Sequence, residues 1–256
     1  MNAEQATLVV PCYNEDKRLD DAAFLALLDD RTSLLFVNDG STDATEARLR
    51  ALAARDDRIG VISFPKNLGK AEAVRIGLQS AHERHTAIVG YVDADLATPA
   101  REIRRLLERF RSTDAALLLG SRVALLGREI SRSPHRHYLG RVFASTASLL
   151  LRLRVYDTQC GAKLFRVGPA LRAALEEPFV SRWIFDVELL GRLSIGAPGA
   201  PPVDVAAMIE EPLWVWRDMT GSKLRSREML GAATDLVRVA ADLARRRRLQ
   251  QRSVHT

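Results

Sequence analysis

The chain has 256 residues, 47% of them hydrophobic and 27% charged, with a formal net charge of +6. That composition suits one large globular domain with a sizeable core, and no stretch reaches the roughly 18 consecutive apolar residues of a membrane-spanning helix. The basic excess points to phosphate-bearing partners such as a nucleotide sugar or an anionic lipid surface, whereas the absence of an aromatic-basic module or a helix-turn-helix pattern argues against nucleic acid.

Met1-Asn2-Ala3-Glu4 leads directly into a β-prone segment, without the basic and apolar regions of a signal peptide. Cys12 and Cys160 lie too far apart to suggest a disulfide framework or a zinc site. A cytoplasmic setting is the expectation.

In chain order, strands are predicted at Thr7–Val10, Ser33–Val37, Ile59–Phe64, Ala87–Val92 and Ala115–Leu119. Helical spacing fills the intervals at Leu19–Leu28, Thr42–Ala53, Ala71–Ala81 and Ile103–Phe110. Such alternation implies βαβ crossovers and a mostly parallel sheet. Further on, Tyr138–Val155 and Phe185–Leu193 are predicted as helices, with strands at Lys163–Arg166 and Val203–Met208.

In open sheets of this kind, ligands bind beyond the carboxyl ends of the strands. Five polar clusters fall there: Pro11-Cys12-Tyr13-Asn14-Glu15, Asn38-Asp39-Gly40-Ser41, Asn67-Leu68-Gly69-Lys70, Asp93-Ala94-Asp95 and Gly120-Ser121-Arg122. A strand ending in Asp-x-Asp offers oxygen ligands to a hard cation that takes its other ligands from water and substrate phosphates. Asp39 can accept a hydrogen bond from a base ring N–H, Tyr13 and Glu15 can line the same pocket, and Gly69-Lys70 can present an N–H and an ammonium to phosphate. The upstream glycines of a P-loop are missing.

These blocks, in this order, resemble the inverting family 2 glycosyltransferases of GT-A fold. The later blocks Asp157-Thr158-Gln159-Cys160-Gly161-Ala162-Lys163-Leu164-Phe165, Arg182-Trp183-Ile184-Phe185-Asp186-Val187-Glu188-Leu189-Leu190 and Gly221-Ser222-Lys223-Leu224 resemble the dolichyl-phosphate β-glucosyltransferase branch. The related mannosyltransferases share most of them. The resemblance implies an α/β, Rossmann-like GT-A domain over residues 1–225. Its first part, 1–120, would bind the nucleotide sugar and 121–225 the acceptor, with a basic amphipathic helix and tail over 226–256.

It further implies that Pro11, Tyr13, Glu15, Asp39, Lys70, Asp93 and Ala94 hold the donor, and that Asp93 and Asp95 hold Mg²⁺ or Mn²⁺. The mannosyl branch often places Gln two residues after the second Asp. Ala97-Thr98 stands there instead, as is common in the glucosyl branch, which favours UDP-glucose over GDP-mannose.

An acceptor phosphate is already anionic near neutral pH, so it needs cationic clamps rather than a base. Arg122 is the first choice, with Arg132, Arg136, Arg141 and Lys163 behind it, and Lys223 can close over the donor. Asp186 is expected in the site, either as a general base or as a partner ordering Lys163 or Arg182. Glu188 should face elsewhere, because i and i+2 do not share a helix face.

Apolar residues at Leu230, Ala233, Leu236, Val237, Ala240, Leu243 and Ala244 form a helical stripe with an arginine run after it. The stripe can lie on an anionic bilayer or pack on the domain.

The expectation is therefore hexose transfer, from UDP-glucose to a polyprenyl phosphate, by a cytoplasmic protein at the membrane surface. The alternatives are a soluble transferase acting on a hydroxyl, a mannosyltransferase, and a non-catalytic nucleotide-sugar sensor. The oligomeric state is left open.

Overall fold

A computed structural model of the chain describes residues 4–84, 86–131, 134–218 and 226–253. The first half runs β1 (Ala6–Cys12), α1 (Asp21–Leu25), β2 (Thr32–Asn38), α2 (Thr45–Ala53), β3 (Ile59–Ser63), α3 (Lys70–Glu83), β4 (Ile88–Val92), α4 (Ala100–Arg111) and β5 (Leu117–Ser121). The second half adds β6 (Glu129–Ser131), α5 (Pro134–Leu151), β7 (Ala162–Arg166), α6 (Pro169–Glu176), α7 (Phe185–Ile195), β8 (Met208–Pro212), β9 (Val215–Arg217) and α8 (Ser226–Ser253).

The main sheet has seven strands in the order β3-β2-β1-β4-β7-β5-β8. All neighbours are parallel except β7, which runs antiparallel to both β4 and β5. β6 and β9 form a separate parallel pair. The five inner strands are buried on both faces, as a sheet covered by helices requires, while the edge strands β3 and β8 are mostly half-buried. One apolar layer gathers Leu8, Val10, Phe24, Phe36, Ile103 and Phe110, and the other Val9, Val37, Val74, Leu78, Phe165 and Phe185.

Strand order reverses between β1 and β4: the chain builds outward from β1 through β2 to β3, and α3 then returns it to the other side of β1. Such a reversal opens a crevice at the carboxyl ends of the two strands. Here those ends carry Pro11–Asn14 and Asp93.

Local chemistry accounts for several boundaries. Asp20 caps α1 by accepting a hydrogen bond from Ala23 N at 3.0 Å, as N-cap aspartates do. Helix α5 ends four residues before the predicted Val155. Arg152 takes a left-handed φ of 59°, and the Leu153 N–H reaches back to the Ser148 carbonyl at 3.1 Å, the closing bond of a Schellman turn.

The predicted strand at Val203–Met208 is displaced. Asp204 captures the Ala206 N–H at 3.0 Å and folds residues 205–207 into a 3-10 turn, a local bond that competes with strand pairing. The strand itself is β8, in register with β5 through Met208↔Leu117 and Glu210↔Leu119.

The C-terminal helix packs on the domain. Val239 and Leu243 are fully buried, and a Cβ on Gly191 of α7 would stand 2.4 Å from Leu243 Cδ1. The buried seam therefore centres on Val239, while Val237 of the predicted stripe is 70% exposed. The side chains of Leu230 and Ala233 lie outside the described residues. Among the described residues, no helix is long and apolar enough to cross a membrane.

Candidate active site

The strand-end clusters meet along the crevice, and each is held by its neighbour. Asp39 follows β2 and is 3% exposed. Its carboxylate accepts from Asn67 Nδ2 at 2.8 Å, Leu68 N at 2.6 Å and Gly69 N at 2.9 Å. Of the about four acceptor positions of a carboxylate, three pin the loop that launches α3. Burial pushes the Asp39 carboxyl above its ordinary range, against the hydrogen bonds from Leu68 and Gly69 and the charge of Arg182. Gly40 turns the chain with φ 63°, and a Cβ there would lie 2.2 Å from Lys66 C, so only glycine lets this loop approach.

Asp93 and Asp95 stand just beyond β4. The Lys70 ammonium, in the first turn of α3, reaches Asp93 Oδ1 at 2.5 Å. Burial pulls the Lys70 pKa down, but Asp93, Asp186 and Asp95 outweigh it and hold the ammonium above its usual value. Asp95 caps Ala97 N at 3.1 Å, and burial followed by repulsion from Asp93 raises its pKa. The next residue, Leu96, has φ 48°, an uncommon conformation for a non-glycine residue that is found at functional turns.

Behind Asp93, the chain of Tyr91, Lys163 and Asp186 is buried. Lys163 is 1% exposed, and its ammonium donates to Tyr91 Oη at 2.8 Å, the Cys160 carbonyl at 2.6 Å and Asp186 Oδ1 at 2.7 Å. An ammonium has three donors, and all three are engaged. Lys163 is thus placed to order Asp186, not to reach an acceptor phosphate, because no N–H remains. Asp186 Oδ1 also accepts from the Tyr91 hydroxyl. Burial, then the Asp186 charge, drives the Tyr91 pKa well up.

Arg122 at the end of β5 is gripped by Asp157. Nε donates to Oδ2 at 2.6 Å, Nη2 to Oδ1 at 2.8 Å and the backbone N–H to Oδ2 at 3.1 Å. Burial opposes both charges. The Arg122 guanidinium nevertheless holds Asp157 well below the usual carboxylate range, and Asp157 raises Arg122. The guanidinium lies over Trp216 at 5.3 Å. On either side, the Ser121 and Thr158 hydroxyls are each 1% exposed and lack a hydrogen-bond partner.

Pro11 lies within β1, opposite Val37, and Tyr13 is half-buried. Glu15 is buried, with Arg18 bound to it and its backbone N–H donating to Thr45 Oγ1. Ala94 packs in the core. Arg141 is exposed, 4.5 Å over the Tyr156 ring. Arg132, Lys223 and the side chain of Arg136 lie outside the described residues. Glu188 faces away, bound to Arg192 at 2.6 Å and to the Val180 and Ser181 N–H groups.

The sequence by itself assigns no role to Asp157, Tyr91, Glu210 or Gly161. A Cβ on Gly161 would sit 1.8 Å from Asp93 Oδ2. The motif containing Asp157 was visible, but its pairing with Arg122 depends on the sheet.

The donor set at β4 fits a hard divalent cation. Two carboxylates converge, Asp93 already holds a cation in the Lys70 ammonium, and mutual repulsion raises Asp95. Among the described residues, no cluster of three or more His, Cys, Asp or Glu could hold a metal ion by itself.

The family described as Glycosyl transferase family 2 matches residues 7–171. A dolichyl-phosphate beta-glucosyltransferase of Trichomonas vaginalis is 35% identical over 251 residues, covering 91% of this chain and 70% of that protein. The Homo sapiens protein of the same name is 31% identical, covering 90% and 77%. Among solved structures, glucosyl-3-phosphoglycerate synthase from Mycobacterium tuberculosis matches with TM-score 0.63 at 20% identity, covering 95% of this chain and 80% of that one. A mannosyltransferase from Pyrobaculum calidifontis matches with TM-score 0.54 at 17% identity, covering 96% and 65%. These two likenesses concern the fold, which is GT-A.

Proposed function

The chain belongs to glycosyl transferase family 2, and from that premise we propose that it moves glucose from UDP-glucose to a polyprenyl phosphate, of which dolichyl phosphate is the example its relatives' names give, with inversion. The observation that carries the acceptor assignment is the state of Asp186. It is 5% exposed, and its Oδ1 accepts from both the Lys163 ammonium and the Tyr91 hydroxyl, so the one carboxylate expected as a general base is buried as the charge partner of an internal lysine. A hydroxyl acceptor needs a base. A phosphate does not.

In this reading Asp39 and the loop it pins shape the nucleoside side, with Pro11, Tyr13 and Glu15, and Lys70 approaches the diphosphate. Asp93 and Asp95 hold Mg²⁺ or Mn²⁺, which when bound neutralises charge on the leaving diphosphate. Arg122, with Arg141 and the basic segment containing Arg132 and Arg136, clamps the acceptor phosphate. An acceptor oxygen forms the new bond to the anomeric carbon from the face opposite the breaking sugar–diphosphate bond, and no proton has to move.

The loop after Arg122 supports a lipid acceptor: Leu125 is 47% exposed and Leu126 fully so. The outer face of α8 combines exposed Val237 and Leu249 with Arg238, Arg245 and Arg248, which suits peripheral contact with an anionic bilayer. We place the protein at such a surface, on the cytoplasmic side. Residues 1–120 are assigned to the donor and 121–225 to the acceptor, and Lys223 to a closing segment. Ala97 withholds one further side-chain ligand from the metal, which favours UDP-glucose over GDP-mannose.

The test is incubation with labelled UDP-glucose, Mg²⁺ and a short polyprenyl phosphate, followed by organic extraction. Label in the organic phase is expected. Its absence, with robust transfer to a soluble alcohol, overturns the acceptor assignment.

A further inference from the structure

We propose that Glu210 is a positioning residue that sets two arginines of the acceptor side at once, reaching Arg122 through Asp157 and Arg141 through Tyr156. This rests on the acceptor reading above.

Glu210 and Glu211 are neighbours on the edge strand β8, and successive strand residues face opposite sides. Glu211 accepts from Arg105 Nη1 at 2.6 Å, fastening α4. Glu210 instead spends both oxygens on the loop before β7: Oε1 accepts the Asp157 N–H at 2.7 Å and Oε2 the Tyr156 N–H at 2.8 Å. These two backbone groups belong to the residues whose side chains engage the arginines. Asp157 grips Arg122 through both carboxylate oxygens, and Tyr156 lies under the Arg141 guanidinium at 4.5 Å. One carboxylate therefore fixes the two platforms on which the clamp rests.

The bidentate hold makes the role specific. A glutamine at 210 keeps the shape but presents one acceptor oxygen and one NH₂ donor. One of the two backbone N–H groups then faces a donor, and the loop turns. Small misplacements of a clamping group are costly, and a shift of about 1 Å can lower a rate about a hundredfold.

A role limited to stabilising the loop would act on every property equally, whereas positioning acts through Arg122. In Glu210→Gln we expect the KM for polyprenyl phosphate to rise by about tenfold or more, with the KM for UDP-glucose within about twofold of the parent. In an Arg122→Ala background, Glu210→Gln should add far less than it does alone, because residues acting as one unit are not additive. Full additivity, or an equal rise in both KM values, overturns the proposal.

A second readout needs no turnover. In the folded 256-residue chain, the Nε–H resonance of Arg122 is identified by its loss in Arg122→Lys. Glu210→Gln should speed its exchange with solvent by about tenfold, as expected of a loosened hydrogen bond. Unchanged exchange overturns the proposal even if the enzyme uses another acceptor. If the parent transfers nothing to polyprenyl phosphate, the function assignment fails, and the Arg122 signal still decides the role of Glu210.

Discussion

Gly161 is empty where Asp93 is full: a Cβ at 161 would overlap Asp93 Oδ2 at 1.8 Å. The two are also joined through the backbone, since Asp93 N donates to the Gly161 carbonyl at 3.0 Å. A residue of the second half thus fixes how far the first carboxylate of the Asp-x-Asp pair can stand back from the crevice.

Gly161→Ala should therefore separate folding from catalysis. The displaced group is the carboxylate at the end of a side chain, with Cγ 2.2 Å from the added Cβ, rather than backbone, so stability should fall by about 1–3 kcal/mol. Turnover should fall by about a hundredfold, because Asp93 can no longer hold its place. Thermal melts beside single-turnover rates would measure both.

Lys70 balances the charge of Asp93 and Asp95 when no divalent ion is present. Removing it in Lys70→Met leaves the two carboxylates repelling each other. The variant should melt lower than the parent without metal and show a larger rise in melting temperature on addition of Mn²⁺ alone, since a ligand of the native state stabilises in proportion to its affinity. The KM for the donor should rise at the same time, by about tenfold if one charge-assisted phosphate contact is lost. An unchanged response to Mn²⁺ would separate Lys70 from the proposed metal site.

Asp186→Asn leaves Lys163 with its charge buried and its main partner neutralised. Breaking a buried pair from one side costs about 3–5 kcal/mol. Chemical denaturation should show that loss, with turnover on polyprenyl phosphate reduced but measurable. The double variant Lys163→Met/Asp186→Leu should recover part of the stability. Abolished turnover with unchanged stability would instead identify Asp186 as the base of a hydroxyl-directed enzyme.

The Arg122–Asp157 pair sets a pH dependence. Asp157 titrates lower in the folded chain than in the unfolded one, where an aspartate titrates near about 3.9. Its contribution is present above that unfolded value and is lost as pH falls toward the folded one, because the unfolded state binds more protons in that window. Below about pH 4 the parent should lose stability more steeply than Asp157→Asn, as read from denaturation midpoints at stepped pH.

Both cysteines are buried, and burial pushes the Cys160 thiol up to about 12 and Cys12 well above its usual value. Thiolates are the reactive form. The native protein should leave both thiols unlabelled by a maleimide at neutral pH, and unfolding should expose two.

Much of this site was readable in the chain itself. The first five strands announce themselves as apolar runs, and a polar cluster at each end can only gather at one edge of a parallel sheet. Asp39, Lys70, Asp93 and Arg122 were visible for that reason. Glu210 was not. Its bonds to Tyr156 and Asp157 span more than fifty positions and exist because β8 pairs with β5 in one particular register. The run Glu210-Glu211-Pro212 carries no apolar alternation that would announce a strand, and apolar spacing alone starts that strand five residues early, at Val203 instead of Met208. Lys163 is expected from sequence among the cations that clamp the acceptor phosphate, but its ammonium is taken up by Tyr91, Cys160 and Asp186, and two of those three lie in distant segments that no local spacing reveals.

The reversed strand β7 has a practical consequence for exchanging parts between relatives. Because it runs against its neighbours, its first residue, not its last, stands at the carboxyl edge. The segment leading into it therefore touches Asp93 on one side and Arg122 on the other. A splice made at residue 121 to transplant a new acceptor preference would import a foreign Gly161 environment beneath the resident Asp93. Under the proposed division, grafts that keep 153–166 with residues 1–120, and change only what surrounds them, should conserve sugar-nucleotide handling while altering what receives the sugar.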